Sequence, residues 1–192
     1  MLRIHEKKWW IYTSFFLFAF EFCTNALAKG ECKAVLSEEL KGKYDEHDFL
    51  AACREGNVKA VQYFLDKDNF DVNEQFISGG SGTYIHGLFP AAQNGHAEVV
   101  QMLVNAGAKI NRTWDSATPL FQAAQNGHAE VVEILVNAGA ELNKTWNGAT
   151  PLYQAAQNGH AKVVQILVKA GVELHKTWKD AAPLFIAAQN GH

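Results

Sequence analysis

Two short amphipathic segments alternate along the second half of the chain, and turn-forming residues separate each pair from the next. One segment begins at Thr118 and Pro119, which suit the N-cap and the first helical position, and it stops at Gly127, a natural left-handed terminator. The next segment, 129–137, carries valine, isoleucine and leucine on one side. Its polar side recurs at i, i+3 and i+7, through Glu130, Glu133 and Asn137. The pattern predicts two short helices joined by a tight turn.

This unit recurs with a fixed period of 32 residues. Asn-Gly-His stands at 94–96, 126–128, 158–160 and 190–192, and Thr-Trp stands at 113–114, 145–146 and 177–178. A single pair of short helices cannot bury its own apolar face, so neighbouring units must stack. A period of this length is therefore typical of a stacked array rather than of one globule.

The repeated motifs resemble those of the ankyrin family. The matching stretches are Ala-Thr-Pro-Leu at 117–120, Gly-His-x-Glu-Val-Val at 127–132 and Gly-Ala-Glu-Leu-Asn at 139–143. The resemblance covers about residues 45–192, and it implies an all-α solenoid whose helix-turn-helix units carry hairpin fingers. It also implies that partners bind across the fingers and the first helices of the units.

The repeat positions predict the domain organisation. In chain order it comprises a signal peptide at 1–28, an N-terminal segment with a short helix at 29–44, a capping repeat at 45–73, a second repeat with an extended finger at 74–111, full repeats at 112–143 and 144–175, and a partial fifth repeat at 176–192. The partial repeat lacks its second helix, which leaves Leu184 and Ile186 without a partner. We interpret it as a truncated chain, a fragment, or an end that packs against something else.

The second repeat departs from the others. Its linker is six residues longer and contains Ser-Gly-Gly-Ser-Gly at 78–82, which predicts a long and flexible finger. His86 and Gly87 take the place of the Thr-Pro that starts the first helix elsewhere, so we expect a weaker helix start there.

The first 28 residues have the pattern of a secretory signal. Arg3, Lys7 and Lys8 form a basic start, residues 11–20 form a short apolar run, and Ala-Leu-Ala at 26–28 matches a signal-peptidase site. The apolar run is about half of the ~20 residues that a spanning helix needs, which argues against an uncleaved membrane anchor. We therefore expect cleavage after Ala28 and a secreted or periplasmic protein, with no membrane attachment after cleavage.

Two cysteines, Cys32 and Cys53, would remain after that cleavage. A pair of cysteines behind a secretion signal favours a disulfide, but two free thiols are an equal alternative. The alignment places Cys53 with Gln93 and Gln125, at the exposed end of a first helix. A bond between Cys32 and Cys53 would hold the short N-terminal helix over the first repeat.

No motif in the chain indicates catalysis, a cofactor or a metal site. Nucleophile-elbow, phosphate-loop and zinc-protease motifs are absent, and a net charge of −3 gives no footprint for nucleic acid. The histidines of the Asn-Gly-His motifs would lie about 8–10 Å apart in a stack, too far to share one zinc ion. The resemblance implies instead that each histidine ties an inter-helix turn. Asn111 and Asn143 match the glycosylation sequon, but a turn role in the repeat explains them better.

A row of tryptophans is the unusual feature of the fingers, formed by Trp114, Trp146 and Trp178. Two explanations are equally open: the rings brace shortened hairpins, or they form an aromatic contact strip for a partner. Because stacked rings can still expose an edge, both can hold at once.

The first helices complete the candidate partner-binding set. They carry Phe121 and Tyr153 where the family has histidine, followed by Gln122 and Gln154. The predicted function is protein–protein recognition by a scaffold that is not an enzyme and has no small-molecule substrate. Two alternatives remain: a regulatory or supporting domain of a larger, truncated secreted protein, and a hydrolase built on the scaffold.

Overall fold

The computed structural model describes residues 48–78, 83–179 and 181–192, all within one compact unit, Tyr44–His192. The described part contains nine helices: α1 Asp48–Glu55, α2 Val58–Leu65, α3 Leu88–Gln93, α4 Ala97–Asn105, α5 Pro119–Asn126, α6 Ala129–Asn137, α7 Pro151–Gln157, α8 Ala161–Lys169 and α9 Pro183–Gln189. The signal peptide, its cleavage site after Ala28, the segment 29–44 and Cys32 lie outside the described residues.

The helix ends follow from local side-chain chemistry. The hydroxyl of Thr118 accepts a hydrogen bond from the Phe121 N–H at 3.0 Å, and the hydroxyl of Thr150 accepts one from the Tyr153 N–H at 3.1 Å. Gly127 closes α5 with a φ of 80°, a left-handed conformation that glycine adopts at little cost. In α3 the N-cap residue is Gly87, which has no side chain to cap with, and this helix spans only six residues. The weaker start predicted for the second repeat is therefore confirmed.

The helices stack in two parallel rows. The first helices pack in the order α1, α3, α5, α7 and α9, and the second helices pack in the order α2, α4, α6 and α8. The buried core runs along the stack and is built from the apolar stripe of each second helix, such as Val131, Val132 and Leu135, and from the alanines and leucines of the first helices. Glu130 and Glu133 face solvent, as their spacing predicts. The all-α ankyrin-type solenoid is confirmed.

One finger contains a small sheet that the sequence analysis did not predict. Strand β1, Phe76–Ser78, pairs antiparallel with β2, Thr83–Ile85, in the register that places Phe76 opposite Ile85. These flanks are rich in aromatic and β-branched residues, which favour strands. The glycine-rich tip at 79–82, for which flexibility was predicted, lies outside the described residues.

The other fingers close on tight two-residue turns. Backbone bridges join Trp114 to Ala117, Trp146 to Ala149 and Trp178 to Ala181. The turn residues have positive φ values, which are 49° at Asp115, 65° at Ser116, 50° at Asn147 and 87° at Gly148. Two successive positive φ values are characteristic of the type I′ turn, the hairpin turn whose twist suits two-residue loops.

Candidate protein-interaction surface

The tryptophan row connects each finger to the finger before it. The indole N–H of Trp146 donates to the carbonyl of Asp115 at 2.9 Å, and that of Trp178 donates to the carbonyl of Asn147 at 2.7 Å. Each acceptor lies in the turn of the preceding finger, 31 residues earlier in the chain. These hydrogen bonds hold consecutive fingers in a fixed relative position.

Each tryptophan also packs edge-on against an aromatic ring of the preceding unit. The ring centroids are 5.1 Å apart for Phe89 and Trp114, 5.4 Å for Phe121 and Trp146, and 5.3 Å for Tyr153 and Trp178. Phe121 and Tyr153 are buried by these contacts and by the core. Phe121 and Tyr153 were predicted to contact a partner directly, but their side chains are almost wholly buried, so they support the tryptophan row from inside.

Trp114 differs from the other two tryptophans. Within the described residues its indole nitrogen is buried and has no hydrogen-bond acceptor. The finger before Trp114 is the β1–β2 hairpin rather than a two-residue turn. Trp114 therefore keeps the ring contact of the row but lacks its hydrogen bond.

The exposed side of the row consists of finger turns and first-helix amides. Asp115, Ser116, Asn147, Gly148 and Lys179 are exposed, while the three indole rings are half-buried. The Lys179 ammonium lies 4.5 Å from the centroid of the Trp178 ring. The surface therefore offers polar turns beside aromatic edges.

Gln122 and Gln154 lie half-buried on the first helices that follow the fingers. The amide nitrogen of Gln154 donates to Gln157 Oε1 at 3.0 Å and lies 3.3 Å from Asn158 Oδ1. The carbonyl oxygen of Gln154 is an acceptor that these two hydrogen bonds leave unused.

The histidines of the Asn-Gly-His motifs connect neighbouring units. Nε2 of His96 donates to the carbonyl of Arg54 at 2.9 Å, Nε2 of His128 to that of Gln93 at 2.9 Å, and Nε2 of His160 to that of Gln125 at 3.0 Å. The acceptor belongs to the first helix of the preceding unit. The expected structural role is therefore present, but it ties one unit to the next rather than the two helices of one unit.

The glycine of each motif makes room for the histidine of the following unit. A Cβ at Gly95 would lie 2.6 Å from Nδ1 of His128, and one at Gly127 would lie 2.6 Å from Nδ1 of His160. Glycine is thus required here both by its positive φ and by the ring stacked on it. Sequence reasoning missed this second requirement, although the fixed Asn-Gly-His triplet was a signal for it.

Two further rows of hydrogen bonds come from asparagines. Nδ2 of Asn126 donates to the carbonyl of Gln93 at 2.7 Å, beside the histidine bond to the same oxygen. In the loops, Oδ1 of Asn111 accepts from the Glu141 N–H at 2.8 Å, and Oδ1 of Asn143 accepts from the Glu173 N–H at 3.1 Å. Asn111 and Asn143 therefore have the structural role in the repeat that was predicted over glycosylation.

Cys53 occupies a different position from the one that the alignment assigned. Arg54, not Cys53, supplies the carbonyl that Gln93 supplies one unit later, so Cys53 corresponds to the buried alanine before Gln93. Its side chain is fully buried as a free thiol, and burial raises the pKa of that thiol. The predicted exposed position of Cys53 is wrong. Because Cys32 lies outside the described residues, the bond between the two cysteines stays a hypothesis.

The side chains around Cys53 explain why a glycine, Gly87, stands at the N-cap of α3. A Cβ at Gly87 would lie 2.8 Å from the Cys53 sulfur and 2.8 Å from Cε1 of Phe49. The later repeats have leucine and alanine at the positions of Phe49 and Cys53, and proline at the position of Gly87. Gly87 thus has no side chain that could cap α3, but it leaves room for the side chains of Cys53 and Phe49.

His86 stabilises the finger loop in place of the usual N-cap threonine. Its side chain is buried, and Nδ1 lies 3.1 Å from each of the carbonyl oxygens of Asn73 and Glu74. Burial, together with the positive charges of Arg112 and Lys109, lowers the pKa of His86 below 6.5. The neutral ring therefore donates through Nδ1 to the loop that leads into β1.

The described residues contain no group of three or more histidine, cysteine, aspartate or glutamate side chains placed to hold a metal ion. Among those same residues, no helix combines the length and the apolar character that crossing a membrane requires.

Comparisons with known proteins match the repeats. A family model described as ankyrin repeats (3 copies) matches residues 88–177 and 142–192. The human scaffold protein ILK is 39% identical over 64 residues, which are 33% of this chain and 13% of that protein. Cortactin-binding protein 2 of Ornithorhynchus anatinus is 33% identical over 60 residues, which are 31% of this chain and 3% of that protein. The chain thus spans only a small part of the length of these relatives, and the similarity concerns the repeats.

Proposed function

Because the chain belongs to the ankyrin-repeat family, we propose that it is a non-enzymatic scaffold that binds a protein partner outside the cytoplasm. The partner surface consists of the finger turns, the exposed edges of Trp114, Trp146 and Trp178, and the amides of Gln122 and Gln154. Ankyrin repeats are interaction modules, and one of the relatives is itself named a scaffold protein. The signal-like pattern of residues 1–28 supports the proposed periplasmic or extracellular setting.

The observation that supports this surface is the division between fixed and varied positions. Some residues recur in every full unit and make contacts between units. They are the tryptophan, the histidine and the Asn-Gly pair before that histidine. The residues that change from finger to finger, such as Asp115, Asn147 and Lys179, are exposed at the turns. A constant frame with varied exposed positions is suited to selective recognition.

The chemistry of this surface suggests how a partner is recognised. The described residues of its exposed turns carry a carboxylate at Asp115 and an ammonium at Lys179, beside neutral amides, hydroxyls and ring edges. The sequence adds a second carboxylate, Asp180, after Lys179, so charges of both signs are few and mixed. Recognition by hydrogen bonds and aromatic contact should therefore outweigh charge attraction, and binding should depend only weakly on salt.

Affinity capture with paired variants tests the proposal. The chain is immobilised and exposed to periplasmic or culture-medium proteins of the producing cells, and each captured protein is identified and its Kd measured. Gln122→Lys with Gln154→Lys changes the proposed surface, while Gln62→Lys with Gln101→Lys makes the same chemical change on exposed positions of α2 and α4. We expect the first pair to weaken binding at least tenfold and the second pair to leave it unchanged. Equal effects of the two pairs would exclude this surface.

The proposed location has a separate test. Export should yield a mature chain that begins at Lys29, measured by N-terminal sequencing and intact mass. A full-length product that fractionates with membranes would contradict export by a cleaved signal and leave the partner surface unaffected.

A further inference from the structure

One chemically labile dipeptide, Asn-Gly, occurs five times in the chain. Four copies belong to the Asn-Gly-His motifs, and the fifth, Asn147-Gly148, forms the turn of a finger. In this dipeptide the glycine nitrogen can attack the carbon of the asparagine amide, because glycine has no Cβ that hinders the approach. The asparagine is then converted to aspartate or isoaspartate. The five copies share this reaction, so their surroundings decide where it proceeds.

The four motif copies are restrained at both reacting groups. In each of them the asparagine Nδ2 donates to a backbone carbonyl of the preceding unit, at 2.7–2.9 Å for Asn94, Asn126, Asn158 and Asn190. The N–H of the glycine that follows donates to a carbonyl of its own first helix, as Gly127 does to Ala124 at 3.4 Å. The reaction requires that this nitrogen lose its proton and approach the amide carbon. Both hydrogen bonds oppose that movement, so the motif copies are protected.

The finger copy lacks both restraints. Asn147 and Gly148 are exposed, and their φ values of 50° and 87° belong to the type I′ turn. The hydrogen bonds that close this turn join the backbone groups of Trp146 and Ala149. Within the part of the chain that the structure describes, no hydrogen bond engages the side-chain amide of Asn147 or the N–H of Gly148. Both reacting groups are therefore accessible to water and able to meet.

Trp178 adds a chemical reason for reaction at this turn. Its indole N–H donates to the carbonyl of Asn147 at 2.7 Å. This carbonyl and the Gly148 nitrogen belong to one peptide group, so loss of the proton from the nitrogen places negative charge on the carbonyl oxygen. A hydrogen bond donated to that oxygen stabilises the charge, as a preorganised donor stabilises an oxyanion. The bond that holds the fingers together therefore also activates the nucleophile.

From the contrast between these sites, we propose that Asn147 is a site of spontaneous deamidation, with water as the co-reactant. The Gly148 nitrogen loses its proton to solvent and forms a bond to Cγ of Asn147. The Cγ–Nδ2 bond breaks, and the departing nitrogen takes up a proton from solvent and leaves as ammonia. Water then opens the cyclic imide at one of its two carbonyl carbons. Opening at Cγ gives aspartate, and opening at the former main-chain carbonyl gives isoaspartate, in which the chain runs through the side chain.

The consequence for recognition rests on the proposed partner surface, which includes this turn. Either product adds a carboxylate where Asn147 is neutral, and aspartate reproduces the Asp115 of the preceding finger. In isoaspartate the carbonyl that accepts the Trp178 N–H becomes the free carboxylate, so the shape of the turn changes as well. The surface of the protein should therefore change with age.

Peptide mapping of the full chain by mass spectrometry tests the chemistry without any partner. The folded protein is incubated, and each Asn-Gly peptide is followed for replacement of its amide by a carboxyl group. We expect deamidation of Asn147 to be about tenfold faster than that of the motif copies, because two hydrogen bonds restrain each of those. In guanidinium chloride the five rates should converge, since the contacts of the fold are lost. Equal rates in the folded protein would overturn the proposal.

Variants test the role assigned to Trp178. Trp178→Phe keeps an aromatic ring and removes the N–H, so deamidation of Asn147 should slow by about fivefold. The control Trp114→Phe removes an indole N–H from a different finger and should leave the rate unchanged. Asp115→Asn with Ser116→Gly places the same dipeptide in the turn whose carbonyl accepts the Trp146 N–H, and it should create a second labile site. A faster reaction in Trp178→Phe, or no reaction at the transferred dipeptide, would contradict activation by the indole.

Asn147→Asp separates the chemistry from its consequence for binding. This variant carries the charge of the aspartate product from the start, and we expect it to change the Kd for the partner found by affinity capture. An unchanged Kd would refute the consequence for recognition, while the rates from peptide mapping would still decide whether Asn147 is the labile site.

Discussion

Trp146 joins two units through one ring contact and one hydrogen bond. Its ring packs on Phe121 with centroids 5.4 Å apart, and its N–H donates to the Asp115 carbonyl at 2.9 Å. These contacts support the bracing explanation of the tryptophan row, while the half-buried ring leaves an edge for a partner. At the scale of single residues, the row is therefore a structural device whose outer edge is also available for binding.

The difference between Trp146 and Trp114 gives a matched test of the bracing hydrogen bond. Trp146→Phe removes a hydrogen bond and leaves the Asp115 carbonyl to water, whereas Trp114→Phe removes a buried N–H that has no acceptor among the described residues. We expect Trp146→Phe to cost about 1 kcal/mol more free energy of unfolding than Trp114→Phe, measured by urea denaturation. Equal losses would show that the indole hydrogen bond does not stabilise the stack.

His86 should make the stability of the second repeat depend on pH. In the unfolded chain its pKa returns to about 6.5, while burial and the charges of Arg112 and Lys109 keep the folded pKa lower. The unfolded state therefore binds more protons between these two values. The stabilisation is fully present above the unfolded pKa and is lost as the pH falls through the folded pKa.

His86→Asn tests this dependence. Asparagine can place an amide N–H near the position of Nδ1 and does not titrate. Between pH 7 and pH 5 we expect the parent chain to lose more stability than the variant, by urea denaturation at each pH. The other histidines are the same in both proteins, so the difference between the two curves isolates His86. Parallel curves would contradict the expected pKa shift.

At the scale of the elements, the helices were the most predictable part of the structure. Thr118, Pro119 and Gly127 predicted a helix that the structure has as α5, and the segment 129–137 is the extent of α6. Local capping chemistry and apolar spacing determine such helices, because the contacts that bound them lie within one turn.

The parts that were not predicted depend on contacts between units. The direction of the histidine bond, from His128 to Gln93, joins residues 35 positions apart and is not visible within one motif. The alignment of Cys53 with the later units was not predicted correctly, because the first repeat is irregular and has Gly56-Asn57 in place of Gly-His. Gly56 receives the ring of His96 as Gly95 receives that of His128, and this contact fixes the register. The burial of Phe121 and Tyr153 likewise follows from the finger of the next unit.

The finger turns offer a test at the scale of one element. Ser116 has a φ of 65°, at the turn position where the next finger has Gly148. Glycine adopts positive φ without the Cβ clash that serine has, so Ser116→Gly should raise the free energy of unfolding by about 0.5–1 kcal/mol. The reciprocal change, Gly148→Ala, should destabilise the chain, because a Cβ there would lie 2.7 Å from Cδ1 of Trp178. Urea midpoints of both variants are the measurement, and a destabilised Ser116→Gly would contradict this account.

At the scale of the whole molecule, most of the described side-chain hydrogen bonds between units share one direction, although Asn73 and Asn143 also donate to the unit that follows. Trp146, the motif histidines such as His128 and the motif asparagines such as Asn126 donate to carbonyl groups of the unit before them. Stability in such an array is approximately a sum of unit terms and nearest-neighbour interface terms. Each unit is therefore held by the unit before it, and a second helix added after α9 would contribute one more interface term.

A covalent extension measures that interface term directly. Appending a copy of 129–143 after His192, with Ile134 and Val136 of the copy changed to polar residues, would supply a second helix like that of each earlier unit. Covering Leu184, Val168 and Leu174 removes apolar surface from water, so we expect the free energy of unfolding to rise by about 2 kcal/mol or more after the cost of ordering the added helix. The melting temperature should rise with it. The control carries the same extension with its paired valines and leucine changed to serine, and it should melt like the parent chain. If both extensions raise the melting temperature equally, the gain does not come from covering Leu184, Val168 and Leu174. If neither does, covering these side chains does not stabilise the chain.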